Sequence, residues 1–79
     1  MRLTAHARTV LAERDINEAW VAETLAQPDW IESDPTDLAL TRYFRSITER
    51  GDRTLRVVAR PEASEAVVVT AFFDRNARR

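Results

Sequence analysis

The chain has no cysteine, no lysine, one glycine and one histidine among its 79 residues. Without cysteine there are no disulfides, no thiolate nucleophile and no cysteine-ligated zinc. Without lysine, Schiff bases, Ser-Lys dyads and the P-loop lysine are excluded. A single glycine, Gly51, rules out the Gly-rich loops that let backbone amides approach nucleotide phosphates. One histidine, His6, gives no spacing for a metal cage, so neither a metal nor a cofactor is expected, although carboxylates remain able to hold Mg²⁺. No apolar run approaches the roughly 18 residues that span a bilayer, and the N-terminus lacks the apolar core of a signal peptide. A cytoplasmic protein without membrane contact is the expectation.

What is present describes one folded domain over residues 1–79. The apolar share of 44% is ordinary for a globular domain, and the 32% of charged residues mix both signs. This length lies near the lower limit for one core without a staple, which makes a second copy or another protein a natural partner. All twelve cations are arginines, and they are unevenly placed: residues 1–41 hold three against eight acids, residues 42–79 nine against five. The C-terminal half thus offers a basic face to a polyanion, since local potential rather than net charge attracts phosphate.

Thr4 suits an N-cap, and Ala7, Val10 and Leu11 follow at helical spacing, which predicts a helix over about 5–14. Asp15 breaks the pattern. Asn17 then caps a second helix over about 18–27, with Ile16 and Val21 placed as a hydrophobic staple and Pro28 as the stop. Trp30 and Ile31 begin a short strand before a turn at Asp34-Pro35-Thr36-Asp37. Strands are expected over 38–47, 54–60 and 66–73, with Gly51 at positive φ in the first hairpin. Leu55, Val57 and Ala59 alternate with Arg56, Val58 and Arg60, which predicts one wet face. The last strand is apolar on both faces and belongs inside a sheet, so Arg2-Leu3-Thr4 is expected along its free edge. A frayed tail is expected from about residue 76. The fold class is α+β: a short N-terminal strand and a helical hairpin packed on a three- to four-stranded antiparallel meander.

Candidate chemistry centres on arginine. Arg42 and Arg45 flank Tyr43 on one strand, and Arg53, Arg56 and Arg60 lie on the next. Guanidinium forks match phosphate oxygens, and Tyr43 adds a stacking ring with a phenol. His6, in the first helical turn, is the one imidazole able to act as a general base. Asp74-Arg75 follows the last strand, where sheets commonly meet their sites. Asp29, Glu32, Asp34 and Asp37 cluster without the glycine or spacing of a calcium loop.

His6-Ala7, Glu13-Arg14-Asp15-Ile16, Val21, Pro28, Tyr43, the Leu55-Arg56-Val57-Val58 strand and Thr70 together resemble the bacterial family called domain of unknown function 4258. That family is similar in element order to the RelE/ParE toxin superfamily. The resemblance implies a small toxin-type protein, a metal-independent ribonuclease acting on messenger RNA or at the ribosome, with an antitoxin as protein partner. On the ribonuclease reading the catalytic residues are Arg45 and Arg56, which bind phosphate, with His6 or Tyr43 handling the proton, and Arg42, Arg53, Arg60 and Arg75 bind RNA; His6 enters by its chemistry and not through the resemblance. Replacing Arg56 by alanine would then abolish cleavage without unfolding the domain. The missing lysine, and the missing tyrosine or histidine after the last strand, favour the alternative: a non-catalytic binding module acting on a protein, or a structural homodimer.

Overall fold

The computed structural model describes residues 1–79, in the order β1 (Arg2–Leu3), α1 (Ala5–Glu13), α2 (Glu18–Ala26), β2 (Trp30–Ser33), β3 (Thr41–Ile47), β4 (Arg53–Pro61) and β5 (Ala66–Phe73). The five strands form one sheet, β1-β5-β4-β3-β2, in which β1 runs parallel to β5 and all other neighbours are antiparallel. The N-terminal residues therefore flank the last strand as expected, with Thr4 N–H continuing the ladder to the Val68 carbonyl at 3.0 Å. The fold is α+β, and no helix is long and apolar enough to cross a membrane.

Both helices start where side-chain oxygens capture free amides. Thr4 Oγ1 accepts from Ala7 N–H at 3.0 Å, and Asn17 Oδ1 accepts from Ala19 N–H at 2.8 Å. The link between them is a Schellman turn. Ile16 N–H reaches the Leu11 carbonyl at 2.9 Å and Asp15 N–H the Ala12 carbonyl at 3.3 Å, with Asp15 at φ 54°. Ile16 and Val21 are both buried, as a staple requires. Arg50 fastens this link to the β3–β4 turn: its guanidinium donates to the Asp15 carbonyl and lies 4.9 Å from the Phe73 ring centroid and 5.7 Å from that of Trp20. In the turn itself Gly51 has φ 64°.

The main core lies between the helices and one sheet face, where Leu55, Val57, Ala59, Val68 and Ala71 meet Ala7, Leu11, Ile16 and Val21. Each valine, leucine or isoleucine buried there contributes about 1.5–3 kcal/mol by leaving water.

Two expectations change. The third strand begins at Thr41 rather than residue 38, because Asp34 Oδ1 accepts from the amides of Thr36 and Asp37, and Asp37 Oδ1 from that of Ala39. These captured amides extend the turn and leave Leu38 84% exposed. The face of β4 away from the helices is not simply wet. Val58 is buried there, as are its same-face neighbours Phe44 and Val67. At the C-terminus the chain turns back first: Asn76 N–H donates to Asp74 Oδ1 and Ala77 N–H to the Asp74 carbonyl.

Asp15 holds a left-handed conformation that costs a side-chain-bearing residue roughly 1–2 kcal/mol, and its charge sits at the negative end of α1. Asp15→Gly should stabilise the domain by about 1 kcal/mol, raising Tm by roughly 4–8 °C for a domain of this size in thermal unfolding followed by circular dichroism.

Candidate nucleic-acid interface

Pleating divides the arginines expected to act together. Arg45 stands opposite Leu55 on the helix-covered face, while Phe44 stands opposite Arg56 on the other. Arg45 is engaged with α2: its Nε donates to the Glu23 carboxylate at 2.8 Å and its Nη1 to the Gln27 carbonyl at 2.6 Å. It closes the C-terminal end of that helix. Tyr43 shares this face, packed against the core. His6 projects from the first turn of α1, exposed to solvent. Of the four residues assigned to chemistry, only Arg56 lies on the open face, so the sheet does not bring His6, Tyr43, Arg45 and Arg56 together.

The open face has its own organisation. Trp30 of β2 stacks on Phe44 of β3, with ring centroids 4.6 Å apart and planes within 6°. The Arg56 guanidinium lies 5.5 Å from the Phe44 centroid and 4.8 Å from that of Phe72, and one Nη donates to the buried Asp74 carboxylate. Arg56 Nε is also buried and meets no acceptor within the protein. A row thus runs from strand to strand as Trp30, Phe44, Arg56, Phe72. Phe44, Arg56 and Phe72 line a groove of about 480 Å³ together with Glu32 and the Asp74–Arg78 turn.

A second hollow of about 220 Å³ lies at the end of the sheet, among Arg53, Thr54, Phe73, Asp74, Arg75 and Arg78. It shares Asp74, Ala77 and Arg78 with the groove, so the two adjoin at the turn that follows β5. Arg53, Arg75 and Arg78 have no carboxylate partner, whereas Arg42, Arg45, Arg56 and Arg60 are paired with Asp34, Glu23, Asp74 and Glu62. Arg53 lies 4.7 Å from the Phe73 ring centroid. Among the arginines of the strands only Arg53, at the start of β4, lacks a carboxylate, and with Arg75 and Arg78 it brings three unpaired cations together near the end of β5.

The acidic cluster consists of structural groups. Asp29 accepts from Ser46 N–H at 2.8 Å and Glu32 from Trp30 Nε1–H at 3.1 Å. Asp34 is held at about 2, below its ordinary 3.8, chiefly by hydrogen bonds from the Thr36 hydroxyl and amide, with Asp37 N–H and Arg42 adding to them. Glu62 is lowered as well, first by the hydrogen bond from Arg60.

Trp30, Phe44, Phe72 and Arg78 escaped the reading by residue type. The parity of β3 carried the signal, because Arg42, Phe44 and Ser46 alternate with Tyr43, Arg45 and Ile47.

The family model described as domain of unknown function (DUF4258) matches residues 3–73, nearly the whole chain, and the chain belongs to this family. No curated protein and no solved structure matches it.

Arg56→Ala would leave the Asp74 carboxylate buried without its cation, so chemical denaturation should show a loss of roughly 3 kcal/mol, contrary to a substitution neutral for folding. Arg56→Met combined with Asp74→Asn should recover part of that loss. Because the Asp34 carboxyl is lowered on folding, its contribution is complete above the ordinary value and disappears as pH falls from 3.8 towards about 2. The Tm difference between wild type and Asp34→Asn should therefore shrink over that interval in a pH series of thermal melts.

Proposed function

We propose that this member of the DUF4258 family is an RNA-binding protein that lays a single strand along the open sheet face, with phosphates at the basic hollow beyond β5. The observation that carries the reading is the adjacency of two surfaces about the Asp74–Arg78 turn: a groove with Phe44, Phe72 and Arg56, and a hollow with three arginines unpaired with carboxylates. Single strands are bound by this pairing of chemistries, since bases stack on aromatic and guanidinium planes while cations follow the backbone.

Half-buried Trp30 and Phe72 offer stacking surface, and Phe44 is the floor beneath Trp30. Arg56 is fixed by Asp74, which gives it a rigid plane at little entropic cost on binding. In the hollow, Asp74 is already neutralised by Arg56, leaving Asp52 as the one lining carboxylate without a cation against Arg53, Arg75 and Arg78. A phosphate there meets a favourable potential even though the whole chain carries a formal charge of −1.

Binding without cleavage is the reading adopted. A proton-transfer pair must stand within hydrogen-bond reach of the same reacting atoms, and His6 on α1 and Tyr43 under the helices are both remote from the open face. The RelE/ParE resemblance supports the same class of ligand, with messenger RNA as its expected form.

The test is fluorescence anisotropy with a short single-stranded RNA over a salt series. Affinity should fall with salt by a log–log slope of about −0.7 for each phosphate contact. Arg75→Ala with Arg78→Ala should weaken binding and make the slope shallower by about 1.4. Unchanged affinity and slope in this double variant would refute the assignment.

A further inference from the structure

The row Trp30, Phe44, Arg56, Phe72 stops at β2, the outer strand of the sheet. Beyond it nothing is paired. Asp34 N–H bonds to the Leu40 carbonyl, and Ser46 N–H turns towards Asp29, so the even-numbered residues of β3 direct their backbone groups at β2. By the alternation of an antiparallel ladder, Ile31 and Ser33 direct their N–H and C=O groups outwards. Ile31 is also one of three large apolar side chains on the surface, at 57% exposure. Edges of this kind are usually shortened, charged or covered. This one is short, but its outward-bonding residues are uncharged.

We infer that β2 pairs with β2 of a second copy of this chain, antiparallel, about a two-fold axis passing beside Ile31, to make a continuous ten-stranded sheet. The occupant follows from self-complementarity. Because opposed side chains must share a face, the two-fold can centre only on a residue facing itself. Centring on Glu32 would oppose two carboxylates. Centring on Ile31 instead opposes two apolar side chains on the helical side, joined by reciprocal backbone hydrogen bonds. That register sets Trp30 against the Glu32 of the other copy, and Asp29 against its Ser33.

The consequence reaches across the open face. Within one chain Glu32 stands opposite Arg42 and Trp30 opposite Phe44. In the Ile31-centred pair each row extends from Phe72, Arg56, Phe44 and Trp30 of one copy into Glu32 and Arg42 of the other, joining the aromatic end of one row to an ion-pairing end of the next. No like charges face one another along it. The interface is a four-residue edge, so the association is weak and concentration-dependent rather than obligate. It does not depend on RNA binding and is tested without RNA.

Because the chain has no cysteine, a single introduced cysteine reports the register. Opposed residues of a hydrogen-bonded pair lie about 5.5 Å apart between Cα atoms, within the span of a disulfide. Under mild oxidation Ile31→Cys should give a covalent dimer far faster than Ser33→Cys, which lies two positions from the axis on each strand. In parallel, sedimentation equilibrium of the wild type should show weight-average mass rising with concentration. Ile31→Arg, which sets two cations against each other on an exposed edge, should remain monomeric with an unchanged melt. Equal crosslinking of the two cysteine variants would overturn the register, and a wild type that stays monomeric at high concentration would overturn the dimer.

Discussion

The Arg56 guanidinium, held by the Asp74 carboxylate beside the rings of Phe44 and Phe72, is the interaction on which the open face depends. An ion pair this far from water is not strongly stabilising by itself, because desolvation of both charges offsets most of their attraction. Its importance is geometric. Asp74 directs the end of β5 inwards, accepts from Asn76 N–H, and receives the chain back through Ala77. The carboxylate that orients Arg56 thus also sets the turn that places Arg78 beside the groove and Arg75 beside the hollow.

The two faces of the sheet divide the work. The helical layer covers one face with apolar side chains, and the cations on that side serve the fold: Arg45 closes α2, while Arg50 joins the helical link to the β3–β4 turn. Arg14 belongs with them, its Nη1 donating at 2.9 Å to the Ala71 carbonyl on a stretch of β5 that lies beyond the β1 pairing. The other face has no helical cover. Its aromatic rings and paired arginines form a firm floor, with Arg78 at one end. On the proposed function, this surface takes an extended anionic ligand with flat groups rather than a compact substrate.

Most of the fold was legible in the sequence because its signals are local. Thr4 and Asn17 act as caps, Ile16 and Val21 as a staple, and Gly51 takes its positive φ. The doubly apolar strand at 66–73 also implied a neighbour, found in Arg2–Leu3. The late start of β3 was harder to foresee, since capture of amides by Asp34 and Asp37 depends on side-chain rotamers that composition does not specify. The site was less legible still. Arg42 and Arg45 look like one cluster in sequence, yet an odd separation on a strand puts them on opposite faces, and partners chosen across the fold, Asp34 and Glu23, occupy both. Arg56 and Asp74 are 18 residues apart and meet only because β4 and β5 pair.

The most direct test of the account is an NMR titration of isotopically labelled protein with a short single-stranded RNA. The account predicts that the Trp30 indole, the Arg56 Nε and the amides of Thr54 and of residues 72–78 shift together, while those of α1 and α2, including His6, stay in place. Shifts centred on the helices, or none at all with protein shown to be folded, would contradict the assignment of the open face as the binding surface.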